Sequence, residues 1–513
     1  MTRILLALGL LSLAACRDAP DPVAAPGPQP GVDLRTVQAE IDLDPDTCAL
    51  DALATLDLAH PDTLRTLVLG LDDALEVQAV SVDGAGVLFW REGDALHVPL
   101  DGPADSSRVV IAYSGTPASG LYTDQATRQR VTYTDGWPDR TAGWLPAVHH
   151  PSDPARFDLA LSVPADRDVV ASGRLVRDSV AGDRRHVRFV LGEEAPPYTW
   201  AFAVGDYAIR EQSGPVPIRH AVLAGDAALA SRLSRTPDVI AALAARLGPY
   251  PYETYATVQV PMEYAGMENA AAPFLRASLY TVDAPGRNAI EEVNIHEVVH
   301  QWWGNAVVPA DWRDLWLAEG PATYLTAATY EWLDGWDTGR RHLVLMAREI
   351  GPEDAARALV PATVDDPDDV LTPTVYNKGG AVMHLLRLTL GEEAFWGALR
   401  RIQTDFADRP LSTGSFQAAL EAASGRDLDA VFQRWVWGDG LPTLEVRWDR
   451  ATRTLAWEIR GDGGTLDGVP FELYVRQGGR SWFVPATDGV LDLPGDATPE
   501  VEPAGILLAV DGP

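Results

Sequence analysis

His296-Glu297-Val298-Val299-His300, followed after eighteen residues by Glu319, is the stretch that decides the reading of this chain. The segment has the form H-E-x-x-H. In a helix, residues four apart stand one above the other on the same face. His296 and His300 can therefore offer two imidazole nitrogens to one Zn²⁺. Glu297 lies beside that face, where a carboxylate could take a proton from a metal-bound water. Glu319 would complete three protein ligands and leave a fourth position open, which separates a catalytic zinc from a structural one.

The pentapeptide has only three fixed positions and recurs by chance, so its surroundings carry weight. Asn288, three residues before Glu291, has the form of a capping box, and Ile290, Val293 and Ile295 supply an apolar flank. Gly304 offers a stop. These signals predict a helix from Asn288 to Trp303 with the motif in its final turns.

A chain of 513 residues is too long for one ordinary core and implies two to four domains. At 46% hydrophobic and 22% charged residues, the composition is that of a folded globular protein. The net charge of −32 argues against nucleic acid or an anionic membrane surface as partner. It suits solubility and mildly favours substrates with a positive end. Of 41 basic residues only Lys378 is a lysine, which reflects a bias towards arginine.

The N-terminus reads as a targeting segment. Arg3 precedes an apolar run from Ile4 to Ala15, too short to span a bilayer as a helix. It ends in Leu13-Ala14-Ala15-Cys16, which resembles a bacterial lipobox with Cys16 as the lipidated first residue; a plain secretory signal is the alternative. Residues 16–32 are a Pro/Ala-rich tether. Arg17 leaves inner versus outer membrane undecided. With Cys16 modified, Cys48 is the only remaining cysteine, so no intramolecular disulfide and no cysteine-based metal site is expected.

Two-fold alternation broken by turns dominates residues 33–210 and predicts an all-β domain. Leu75, Val77 and Ala79, for example, alternate with Glu76, Gln78 and Val80 before Asp83-Gly84. From 211 to 441 the pattern is helical, with expected helices over Asp226–Leu247 (Asp226 as N-cap), the histidine-bearing stretch, Thr323–Leu333 and Gly379–Leu390. Residues 442–513 return to short alternating runs, as in Leu455–Ile459 and Phe471–Val475, and predict a small C-terminal β-sandwich.

Four further segments make the site more specific: Ala265-Gly266-Met267-Glu268-Asn269, Gln301-Trp302-Trp303-Gly304-Asn305, Trp316-Leu317-Ala318-Glu319-Gly320-Pro321-Ala322 and Tyr376-Asn377-Lys378-Gly379-Gly380. In this order and spacing the set closely resembles the gluzincin aminopeptidases, the family of aminopeptidase N and leukotriene hydrolase. The resemblance covers nearly the whole chain after the tether, including Trp144-Leu145-Pro146, Pro151-Ser152-Asp153-Pro154 and the strand from Asp158 to Pro164. It implies a multidomain α+β protein with a thermolysin-like zinc catalytic domain at 211–441.

The resemblance also assigns roles. One zinc ion would be held by His296, His300 and Glu319. Glu297 would be the general base and later proton donor to the leaving amine, and Tyr376 would hydrogen-bond the tetrahedral oxyanion. Glu268 would bind the free α-ammonium of the substrate, a charge-assisted bond that a blocked N-terminus would leave unmade. Gly266 and Met267 would present backbone to an extended peptide, and Asp135 is the candidate for a second amine-binding residue. Lys378 is expected to be structural. Adjacent histidines do not share a helical face, so His149-His150 is expected to be a structural loop.

Departures from the family pattern are Ala318 for Asn, Pro321 for a bulky residue, and Thr326 where a Glu often orients a zinc histidine. Proline is acceptable in a first helical turn, so Glu319 could still be presented. At Thr326 another residue must compensate, or the metal is held more loosely. About seventy residues follow Pro442, in place of the family's large helical C-terminal domain, which predicts a more open cleft.

The expected protein is a monomeric, exported zinc aminopeptidase, lipid-anchored in the bacterial cell envelope and acting on peptides with a free N-terminus. A zinc endopeptidase and a catalytically silent peptide-binding lipoprotein are the rivals. An N-acetylated peptide separates the first, and intact Glu297 and Tyr376 speak against the second.

Overall fold

The computed structural model describes residues 28–100, 104–124, 130–284, 287–407, 409–439, 443–461, 464–465, 472–485, 489–504 and 509–511. The targeting segment and Cys16 lie outside the described residues. Backbone contacts divide the chain into two units, one running to Ala241 and again over Pro249–Asp311, the other taking Ala242–Gly248 and the chain from Trp312.

Alternation builds the first unit. Asp33–Asp44 pairs antiparallel with Ala49–Ala59. Val37, Ala39, Ile41 and Leu43 are buried while Gln38, Glu40 and Asp42 between them are exposed, as a two-residue period demands. The eight-stranded sheet runs Arg174–Ala181, Arg184–Ala195, Ala155–Pro164, Asp33–Asp44, Ala49–Ala59, Ser106–Gly115, Glu76–Val82, Ala85–Gly86. Its core includes Phe157 stacked on Trp200 at 4.8 Å and Trp144 edge-on to Phe202 at 5.2 Å. One expected register is wrong. Ala79 is exposed and Val77 half-buried, while Val80 and Val82 turn inward. A break in register between Val77 and Ala79, against Ser106–Gly115, flips the strand's faces.

A mixed sheet in the same unit carries the site. Its order is Tyr207–Gln212, Ile218–Leu223, Tyr255–Val260, Phe274–Arg276, Gly266–Met267. Every residue of Tyr255–Val260 is buried, as expected of a strand covered on both faces. Gly266–Met267 stands at the edge, antiparallel to Phe274–Arg276. The expected Asp226–Leu247 helix is broken. A 3₁₀ stretch, Ala224–Leu233, precedes α1 (Thr236–Leu247), with non-helical backbone at Asp226, and α1 starts afresh with Pro237 in its first turn, where a proline is tolerated. Asp226 is no N-cap to α1; its carboxylate accepts from the Gln259 side chain at 2.8 Å.

The second unit is helical, then stranded. Its helices are α2 (Trp316–Asp334), α3 (Trp336–Arg348), α4 (Pro352–Ala356), α5 (Gly379–Leu390), α6 (Glu392–Asp405), α7 (Thr413–Ser424) and α8 (Asp429–Trp435). Residues from Thr443 form two small sheets. The helix expected from Thr323 starts at Trp316, which puts Pro321 beyond its first turn, contrary to expectation. The proline lacks the N–H that would bond the Leu317 carbonyl. A ladder of charge ties α2, α3 and α5 to the strand Glu472–Gln477. Glu331 pairs with Arg340 at 2.6 Å and with Arg387 at 2.8 Å, and Arg340 pairs with Glu472 at 2.6 Å.

Candidate active site

The H-E-x-x-H stretch lies on a helix over Ala289–His300, here called αM. Ile290 joins an apolar cluster with Val222, Leu233, Leu275 and Tyr280. One turn on, buried Asn294 accepts from Tyr255 Oη at 2.8 Å and donates to Thr236 Oγ1 at 3.1 Å. Two details differ from expectation. Asn288 is the N-cap residue but makes no side-chain capping bond; it donates instead to the Arg232 carbonyl at 2.8 Å. Glu291, the expected reciprocal acid, pairs with Arg235 at 3.3 Å. The regular helix also ends at His300 rather than Trp303.

The segment after the helix holds the site together. His300 Nδ1 faces the Trp303 carbonyl at 3.0 Å. A carbonyl can only accept, so this bond puts the imidazole proton on Nδ1 and leaves Nε2 as a lone pair for a metal. Thr326 contributes nothing comparable, since its hydroxyl donates to Ala322 O at 2.8 Å within its own helix. The orienting partner of His300 is thus backbone. Trp302 anchors the turn by donating to Pro249 O at 3.0 Å and meeting Tyr250 edge-on at 5.3 Å.

Glu297 and Glu268 are buried, with 4% and 6% of their surface exposed. The Glu297 carboxylate lies directly against Gly266, leaving no room there for a side chain. Gly266 and Met267 form the sheet's edge strand and Glu268 follows them. Asp135 is half-buried in a separate turn, where it stands 3.7 Å from Arg140 and accepts from the Trp137 N–H at 3.3 Å.

In the second unit, Glu319 is buried on α2 and Tyr376 is half-buried on a single π-helical turn, Thr374–Lys378, that leads into α5. Such turns recur at functional sites. Lys378 is fully buried and donates to the carbonyls of Ala355, at 3.1 Å, and Arg357. Burial lowers its pKa to about 8 against the opposing pull of Asp439.

Among the described residues, ligand-capable atoms of His296, His300 and Glu319 lie within 4.8 Å of one another. Two imidazole nitrogens and a carboxylate oxygen, with the His300 tautomer fixed, are a donor set that fits zinc. Among the described residues, His149 and His150 join no such group. Their rings face Gly70 O at 3.1 Å and Ser152 Oγ at 2.7 Å. Sequence reasoning assigned no role to Gln301 or Asn305. Both are fully buried polar side chains beside the site, and a carboxamide flanking two tryptophans was the available signal.

Residues 234–435 match the peptidase family M1 domain. The chain is 27% identical over 428 residues to leucine aminopeptidase 2 of Yarrowia lipolytica, covering 76% of this chain and 64% of that one. The chain spans between 45% and 64% of the length of the first curated relatives it matches. An M1 zinc metallopeptidase variant from Deinococcus radiodurans superposes with a TM-score of 0.72 at 26% identity, covering 81% of this chain and 96% of that one. A form bound to a Tyr-Ser-Ala substrate gives a TM-score of 0.69 at the same identity, with 81% and 96% covered.

Proposed function

Given that the chain carries a peptidase family M1 domain over residues 234–435, we propose that it is a zinc-dependent aminopeptidase. The observation that carries this reading is the meeting of His296, His300 and Glu319 within 4.8 Å, with Glu297 on the same helix. These three residues would hold the ion. Zinc bound there supplies Lewis acidity, polarising the scissile carbonyl and acidifying water.

The chain's own groups do the rest. Glu297 takes a proton from the attacking water on its carboxylate and returns it to the leaving amine, a role typically worth about 10²–10⁴-fold. Tyr376 donates its O–H where negative charge develops on the carbonyl oxygen. The edge strand Gly266–Met267 offers backbone groups to an extended peptide. Glu268 receives the α-ammonium, so that cleavage is measured from the N-terminus. Asp135 is a second acid for the same amine.

The test is a pair of matched peptides, one free and one N-acetylated, incubated with the protein with and without a chelator. Stepwise loss from the free N-terminus only, abolished by chelation, is expected. Internal cuts in both peptides would replace this reading by endopeptidase action, and no cleavage by metal-replete protein would favour a peptide binder.

Export and lipid anchoring at Cys16, with a monomeric envelope protein as the result, belong to the same proposal. They are supported by the apolar run before Cys16 and the tether after it. Cys16→Ala is expected to move the protein from the membrane to the soluble fraction; unchanged fractionation would overturn the anchor.

A further inference from the structure

Gln301 and Asn305 converge on one backbone atom. The Asn305 Nδ2 donates to the Glu268 carbonyl at 2.7 Å, and the Gln301 Nε2 donates to the same oxygen at 3.4 Å. Gln301 Nε2 also donates to the Glu297 carbonyl at 3.0 Å, and its Oε1 accepts from the Ala271 N–H at 2.8 Å. Both side chains are completely buried. One carboxamide therefore spans the backbone of Glu297, on αM, and the backbone on both sides of Asn269.

The segment it grips is not held by regular pairing. The edge strand ends at Met267, and Ala271 has a left-handed backbone with φ +60°. Beyond the strand, Ala270 N–H bonds Thr199 O at 2.9 Å, and Ala256 N–H bonds Ala271 O at 2.8 Å. The carbonyl of Glu268 itself is taken by the two carboxamides. A carbonyl has two lone pairs, so this pair of donors can satisfy it and fix the 268–269 peptide plane.

We infer that Gln301 and Asn305 are positioning residues that set the register between Glu268 and Glu297. This rests on the reading of Glu268 as the ammonium site and Glu297 as the base. An aminopeptidase must hold its amine-binding acid a constant distance from its base, and a shift of about 1 Å at a reacting centre can cost on the order of 10²-fold. The clamp links those two residues through their backbones.

The experiment is a double-mutant cycle on the full, metal-loaded chain, with Asn305→Ala and Glu268→Gln alone and together. KM, kcat, zinc content and melting temperature are read for a free and an N-acetylated peptide. Asn305→Ala is expected to raise KM for the free peptide about 10-fold with a smaller change in kcat, zinc remaining at one per chain. In the Glu268→Gln background the same change should cost almost nothing more, because its effect runs through Glu268. Additive losses, or a fall in kcat alone that tracks melting temperature, would overturn the inference. Should Asn305→Ala not fold, Gln301→Met carries the same cycle, being similar in length but without donors. Failure of the underlying reading looks different: the unmutated chain would cleave both peptides equally, or Glu268→Gln would leave KM unchanged.

Discussion

A Cβ added to Gly266 would stand 2.1 Å from Oε1 of Glu297 and 2.8 Å from Cγ1 of Val293. The first obstacle is the far end of a flexible side chain, so the fold can relieve the clash by moving the carboxylate. The absence of a side chain at 266 thus gives Glu297 its position. Gly266→Ala is expected to lower kcat by about 10²-fold or more, as loss of a positioned base does. Its melting temperature should fall by only a few degrees, since the atoms met are side-chain atoms of Glu297 and Val293 rather than backbone. Zinc should still bind. Activity within two-fold of the parent would show that Glu297 is not confined by this contact.

A second close approach joins backbone to backbone. A Cβ on Gly320 would meet the carbonyl carbon of Gly379 at 2.9 Å, and one on Gly379 would meet Gly320 Cα at the same distance. Here α2, which carries Glu319, crosses the start of α5, just after the turn that carries Tyr376. Neither neighbour can rotate away, so Gly379→Ala should force the helices apart at a cost of about 1–3 kcal/mol. Urea unfolding measures it, and an unchanged midpoint would refute so tight a crossing.

These contacts mark the boundary of what the sequence could reveal. The fold class was legible because alternation in stretches such as Val37–Leu43 has one burial solution. The pairing of His296 with His300 was legible because four-residue spacing on a helix forces the histidines together, whereas Glu319 was placed only by the resemblance of its segment. What was hidden depends on partners distant in sequence. The Val77–Ala79 register break is set by the neighbouring strand, and α2 begins at Trp316 with no side-chain capping bond to announce it. Asn288 has the right identity for a capping box, but its Nδ2 donates to the Arg232 carbonyl and its side chain makes no capping bond. The π turn under Tyr376 and the Gln301 clamp left no periodic trace at all.

The charge ladder behind α2 gives a stability prediction with a sign. Burial pushes the Glu472 carboxyl up, but His384 and Arg340 overcome it and hold its pKa below the ordinary glutamate value. A depressed carboxyl contributes stability that is present above the unfolded pKa and lost as pH falls through the folded one. Glu472→Gln removes one partner of Arg340, which is only 5% exposed, though Glu331 still faces it. The loss near neutral pH should be about 2 kcal/mol, less than for a fully orphaned buried charge. The gap between parent and variant should narrow as pH falls below the ordinary glutamate value and on through the lower folded one. Chemical denaturation at pH 7 and pH 4 checks this, and a gap that widens in acid would contradict it.

Asp153 predicts the opposite pH dependence. Burial, reinforced by Asp33 and Glu194, raises its pKa to about 7 despite the Leu34 N–H. Its Oδ1 accepts from that N–H at 3.1 Å, while its buried Oδ2 has no hydrogen-bond partner among the described residues. An acid whose folded pKa is raised is tolerated when protonated. Its penalty is absent below the unfolded value of 3.8, grows through the window up to about 7, and is constant above it. Asp153→Asn keeps the acceptor and removes the ionisation. The variant should match the parent near pH 4 and exceed it at pH 8 by up to a few kcal/mol, the gain growing across that window. Melting curves of the two proteins from pH 4 to pH 8 decide it. A difference that does not change with pH, or one that favours the parent at pH 8, would mean that Asp153 is ionised in the fold at little cost and finds a compensating partner there.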